Sequence, residues 1–147
     1  MGNRAVITTK EKRIGVYLQW LGGEDYVKPF LAYCKLKGHR SPEEDYYGWT
    51  RLCQVICNHV GCDPYIGLDE YSKLNCDNGD NGVYIIEDWE IVGRKFFRGI
   101  GQENNDFRRM LIKINKRQPK HEKLSAKEVN EYVKALKLSK TREAEKG

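Results

Sequence analysis

The chain has 147 residues, 39% of them hydrophobic and 32% charged, with a formal net charge of +5. That is long enough for one domain with a real core, and it holds no apolar run of the roughly 20 residues a membrane-spanning helix needs. No basic, apolar and cleavable series opens it, and Val6 stands where a myristoylation pattern needs Ser or Thr, so a soluble, cytosolic protein is expected.

Arg4 to Thr9 and Ile14 to Trp20 are β-branched, apolar runs separated by the polar Lys10 to Arg13, the pattern of a hairpin. Gly22-Gly23 breaks the chain. Glu24 and Asp25 then open a helix whose apolar face is Val27, Phe30, Leu31 and Cys34, ending near Gly38. Pro29 fits such a helix only near its first turn. His39 to Tyr46 reads as a polar loop. A second helix covers Trp49 to Val60, with Leu52, Cys53, Ile56, Cys57 and Val60 on one stripe and Gly61 and Pro64 at its end. Tyr65 to Leu68 reads as a short strand.

Asn75 to Gly82 (N-C-D-N-G-D-N-G) is turn chemistry, because Asn-Gly steps enter positive φ cheaply. Val83 to Ile86 and Glu90 to Val92 follow as a hairpin with Asp88-Trp89 near its tip. A third helix runs from about Asn105 to Lys116, with Phe107, Met110, Leu111 and Ile114 facing the core. Pro119 ends it. Ser125-Ala126-Lys127-Glu128 forms a capping box, opening a helix with Val129, Tyr132, Val133 and Leu136 on one face; Thr141 to Gly147 reads as a frayed end. The sum is an α+β protein with a small antiparallel sheet of about five strands, three core helices and an additional C-terminal helix. Residues 1–118 form the compact domain, and 119–147 a linker and amphipathic helix.

Four segments together carry a resemblance: G-N-R-A-V-I-T-T, G-V-Y-L-Q-W-L-G-G, Y-G-W-T-R-L-C-Q-V-I-C-N and C-D-N-G-D-N-G-V-Y-I-I-E-D-W-E-I-V-G-R. Over residues 1–118 the chain resembles a family of small proteins encoded by phages and mobile elements of Gram-positive gut bacteria. The resemblance implies an anti-defence role, inhibition of a host defence system. It carries over no catalytic motif and therefore assigns no residue.

The residues that might do chemistry do not assemble into a pattern. Five cysteines in a chain with no secretion signal point to reduced thiols. Cys53, Cys57, His59 and Cys62 depart from zinc-ligand spacing, and His59 points about 120° away from Cys53 on a helix, so core packing is the expected role. Asp77, Asn78, Asp80 and Asn81 fail the spacing of a calcium loop and read as a tight turn. Cys34 and His39 are the one local thiol–imidazole pair, with Cys34 on the buried helix face; His121 lies in a linker, and Glu43, Glu44 and Asp45 read as a solvated acidic cluster. No phosphate loop, nucleophile elbow or metalloprotease signature is present, and no cofactor or metal is called for.

The basic residues are more suggestive. Arg94, Lys95 and Arg98 follow the second hairpin, and Arg108, Arg109, Lys113, Lys116 and Arg117 lie on the third helix, mostly opposite its apolar stripe. Phe96 and Phe97 sit nearby, where aromatic rings can stack bases. Tyr46, Tyr47 and Trp89 fall in loops or at element ends, where aromatics serve interfaces. The expectation is a non-catalytic binding protein that occludes a host protein or nucleoprotein. Direct nucleic-acid binding and a thiol-dependent enzyme are the alternatives. Oligomeric state is not legible.

Overall fold

The computed structural model describes residues 2–61, 65–99 and 104–146, the last five as backbone only. Five strands form one sheet: β1 (Ala5–Thr9), β2 (Ile14–Leu18), β3 (Ile66–Glu70), β4 (Val83–Glu87) and β5 (Glu90–Lys95), in the order β3-β2-β1-β4-β5. Four α-helices accompany it: α1 (Glu24–Leu36), α2 (Tyr47–Val60), α3 (Phe107–Lys116) and α4 (Ala126–Lys146). The α+β class and the strand count are as expected. The sheet is mixed, however, because β4 pairs with β1 in parallel while the other pairings are antiparallel. The chain leaves the β3 edge and crosses two strands to reach β4, and a crossover of that kind returns it in the parallel sense.

That crossover explains why β1 is buried throughout. On one face Ala5, Ile7, Val16, Leu18, Tyr84 and Ile86 form the core with the helices. On the other face Leu74 of the crossover lies over Gly15, close enough that a Cβ there would come within 2.8 Å of its Cδ1. A glycine at position 15 is therefore what lets the crossover seat. Residues sealed from water, such as Ile7, Leu31, Leu52 and Ile114, each stabilise the fold by about 1.5–3 kcal/mol relative to exposure.

Helix ends follow local chemistry. α1 stops in a left-handed Gly38 (φ 76°), with His39 N–H donating to the Cys34 carbonyl and Gly38 N–H to that of Lys35. Pro29 sits inside α1, beyond its first turn, and is buried. α2 begins earlier than expected, at Tyr47, because Gly48 lies tight against the Arg40 carbonyl. Its buried face is Leu52, Val55, Ile56 and His59, with Cys53 and Cys57 only half-buried at the margin. Asp106 caps α3 by accepting from Arg109 N–H at 2.9 Å. The capping box at α4 forms reciprocally: Glu128 N–H donates to Ser125 Oγ, and Ser125 N–H to Glu128 Oε1, both at 3.1 Å.

α4 contributes Val129 and Val133, and the segment before it contributes Leu124, to the same buried cluster as the sheet. The helix then continues to Lys146 instead of fraying at Thr141.

Candidate anion-binding face

The basic residues expected to form one surface divide into two sets. Two members of the first, Arg94 and Arg98, are tied up by the loop between β3 and β4. Asn78 is buried and braces the loop from within: its Nδ2 donates to the carbonyls of Asn75 (3.1 Å) and Gly82 (3.2 Å), while its Oδ1 accepts from Asp80 N–H (3.1 Å) and Gly82 N–H (3.0 Å). Asn81 fastens the loop to the start of β1, donating to Asn3 Oδ1 at 2.7 Å and to the Arg4 carbonyl at 3.0 Å. Asp80 receives Arg4 Nε at 2.8 Å, which holds its carboxyl below the usual range despite partial burial. Only the glycine of each Asn-Gly step takes positive φ: Gly79 at 83° and Gly82 at 66°.

Arg94 belongs to this assembly. Its guanidinium lies between the Tyr84 and Phe97 rings, 4.1 and 4.2 Å from their centroids, and donates to the Asn81 carbonyl at 2.8 Å and to Glu24 at 3.3 Å. Arg98 pairs with Asp77 through two bonds of 2.8 and 3.3 Å, which hold the Asp77 carboxyl below its usual range. Lys95, the third member of the first set, has no acidic partner among the described residues. It meets Lys12 from the β1–β2 turn, and the two ammonium groups depress the Lys12 pKa. Nothing in local sequence signalled that meeting.

The second set lies on α3. Arg117 donates to the His59 carbonyl at 2.6 Å, satisfying the end of α2, and Arg108 donates to Asn130 Oδ1 at 2.9 and 3.2 Å, linking α3 to α4. Arg109, Lys113 and Lys116 are exposed and form no ion pair among the described residues. Their spacing of four and three residues puts them in one row, about 6 and 4.5 Å apart along the axis. The row has a rigid backing. Met110, Leu111 and Ile114 are buried behind it, and Gln118 donates to the carbonyls of Val55 (3.1 Å) and Ile114 (3.2 Å) while accepting from Asn58 (3.0 Å). Gln118 was invisible to sequence reasoning, since its partners are some 60 residues away.

The three aromatics also separate. Tyr46 and Tyr47 are 72% and 66% exposed, their rings 5.3 Å apart. Trp89 is buried, which removes it from any exposed contact surface. Asp88 and Trp89 make a two-residue hairpin tip with both φ positive (51° and 61°), and Trp89 Nε1 donates to the His39 carbonyl at 2.7 Å. Packing under the loop offsets the strain of a bulky residue in that conformation. The acidic cluster is also structural in part: Glu43 accepts from Asp88 N–H, and Asp45 pairs with Arg40 at 3.5 Å.

The thiols and imidazoles are poorly placed for nucleophilic chemistry. Burial raises the Cys34 and Cys57 thiols and pushes Cys53 up to about 11. The His59 ring packs against Tyr26 and, edge-on at 5.6 Å, against Phe30. Burial, followed by the charges of Arg117 and Lys113, lowers its pKa to about 4. No hydrogen bond joins the Cys34 thiol to the His39 ring among the described residues. Nor does any group of three or more His, Cys, Asp and Glu side chains converge there. Cys62, the last member of the cysteine–histidine motif, lies outside the described residues.

A groove of about 850 Å³ runs between α1, β5, the start of α3 and α4, with Leu31, Ile91 and Val133 among its apolar lining. Its carboxylates are committed to the fold. Glu24 pairs with Lys28 at 3.4 Å, Asp25 accepts from Asn105 Nδ2 at 2.6 Å, and Asp106 caps α3.

The protein is thus a mixed five-stranded sheet with helices against one face and a row of exposed cations on α3. No family model, curated protein or solved structure matches the chain. No described helix is long and apolar enough to cross a membrane.

Proposed function

We propose that this chain is a non-catalytic, cytoplasmic binding protein of mobile-element origin. It inhibits a host defence nucleoprotein, anti-CRISPR-like or anti-restriction-like, by steric and electrostatic occlusion. The observation that carries the binding half of this reading is the row Arg109, Lys113 and Lys116, exposed and without acidic partners among the described residues, on a helix locked from behind. The packed helix fixes the spacing of the three positions, so meeting an anionic surface orders three side chains but no backbone. Tyr46 and Tyr47 supply an exposed aromatic anchor at another point of the surface. The identity of the target as a defence complex rests on the resemblance in the sequence alone.

The test uses purified RNA-guided and restriction nucleases cleaving DNA in the presence of the protein. The expected result is inhibition of at least one by the native chain, and its loss in the variant R109E/K113E/K116E. No inhibition across the panel removes the defence target, and equal inhibition by both proteins removes α3 from the contact.

A second reading, direct binding to nucleic acid, is supported by the same three exposed cations, each of which can neutralise one phosphate and release its counterion. A gel-shift titration over salt separates the two. A slope of log affinity against log salt that flattens by about two to three in the triple variant supports it. No shift at low salt ends it.

A further inference from the structure

The two edges of the sheet are built differently. β5 is interrupted by a register irregularity opposite Ile85 and Ile86 and ends in Arg94-Lys95. Bulges and terminal cations are what proteins use to stop an edge from pairing. β3, at the other end, has neither. All five of its residues pair with β2 in unbroken register, from Ile14 opposite Glu70 to Leu18 opposite Ile66, and the strand (I-G-L-D-E) holds no Lys, Arg or Pro. Its exposed side chains are mixed: Asp69 and Glu70 carry carboxylates at one end, and the rest of the strand is apolar. Leu68 is 52% exposed, and Ile14, Tyr65 and Trp20 are exposed on or beside the same strand pair. A Cβ placed on Gly67 would meet nothing within 4 Å.

We propose that β3 is the docking edge for a second copy of this chain, pairing antiparallel about a two-fold axis at Leu68. The charge pattern selects that register. Centred on Leu68, the pairing uses all five residues and sets Asp69 opposite Gly67 and Glu70 opposite Ile66, so no two acids face each other. A register centred on Asp69 would oppose the two aspartates and leave Ile66 unpaired. The two Leu68 side chains meet on the face that also carries Val16, since Leu68 and Val16 are register partners, and Ile14 extends that apolar contact. The interface is isologous and closes at two copies. The two sheets become one of ten strands, and the two protected β5 edges lie outermost.

Sedimentation velocity over a concentration series tests this with the full chain. The native protein is expected to pass from monomer to dimer as concentration rises. Leu68→Lys sets two ammonium groups face to face on the axis and is expected to weaken dimerisation about tenfold or more. Val92→Lys, an exposed change on the other edge, is expected to leave it unchanged. Hydrogen exchange on the native chain is an independent readout: amides of residues 66–70 should gain protection as concentration rises. A native chain that stays monomeric, assemblies beyond the dimer, a dimer indifferent to Leu68→Lys, or exchange at 66–70 that ignores concentration would each overturn the proposal.

Discussion

Arg94 and Arg98 on one side, and Arg109, Lys113 and Lys116 on the other, carry the same charge into opposite circumstances. The first two face acceptors: Arg94 finds a carbonyl, a carboxylate and two aromatic faces, and Arg98 finds Asp77. The other three face water. A cation already opposed by acceptors contributes to folding and offers little to a partner. An unpartnered one costs the fold little and remains available. Basic residues counted along the sequence are therefore not a measure of binding surface; what opposes each one is.

The largest expected effect lies at the loop's own brace. Asn78→Ala removes the amide that braces two N–H groups and two carbonyls, of which only the Gly82 carbonyl keeps another donor, Val6 N–H, and should cost about 3 kcal/mol in denaturant unfolding. A loss below about 1 kcal/mol would mean that water replaces the amide and that the loop is less rigid than described. Next is Arg94→Ala, which empties the space between Tyr84 and Phe97 and frees the Asn81 carbonyl; about 2 kcal/mol is expected, with anion binding by α3 unchanged.

The third prediction uses His59 as a reporter of the α3 cations. Its folded pKa of about 4 lies below its ordinary value, so the neutral ring is the folded form. The unfolded chain takes up the proton more readily. The stability His59 contributes is thus fully present above about pH 6.5 and is lost as pH falls through about 4, roughly 3 kcal/mol in all. Lys113→Glu removes one of the charges that oppose protonation, and NMR titration should show the His59 pKa move upward, by about half a unit. A pKa that does not move would place Lys113 farther from the ring than the coordinates do.

Much of the fold was legible because its signals are local. The first hairpin, the apolar stripe of α3, the Ser125–Glu128 box and the Asn-Gly turn all act within a few residues, and they formed as the spacing predicted. What was missed depends on partners far along the chain. The parallel pairing of β1 with β4 joins residues nearly 80 apart, such as Val6 with Val83. The burial of Trp89 depends on a carbonyl 50 residues before it, and the stripe of α2 was misread by one position because Tyr26 and Phe30 of α1 draw His59 inward. The candidate site followed the same rule. Its residues were nameable, yet the division into engaged and free cations required knowing where Asn81, Glu24 and Asp77 end up.

The smallest expected effect on stability is also the most direct test of the central claim. R109E/K113E/K116E should unfold within about 1 kcal/mol of the native chain, since none of the three is buried or ion-paired among the described residues and the main cost is two carboxylates in the last turn of α3. The measurement is the salt concentration at which each protein elutes from immobilised heparin. The comparison variant is K10E/K28E/K73E, which has the same net charge but reverses lysines already paired with Glu87, Glu24 and Glu70. The account predicts that the α3 variant elutes at much lower salt than this control, and that the control stays close to the native chain. Coincident elution of the two variants would show that net charge alone governs binding and that the row on α3 has no special role.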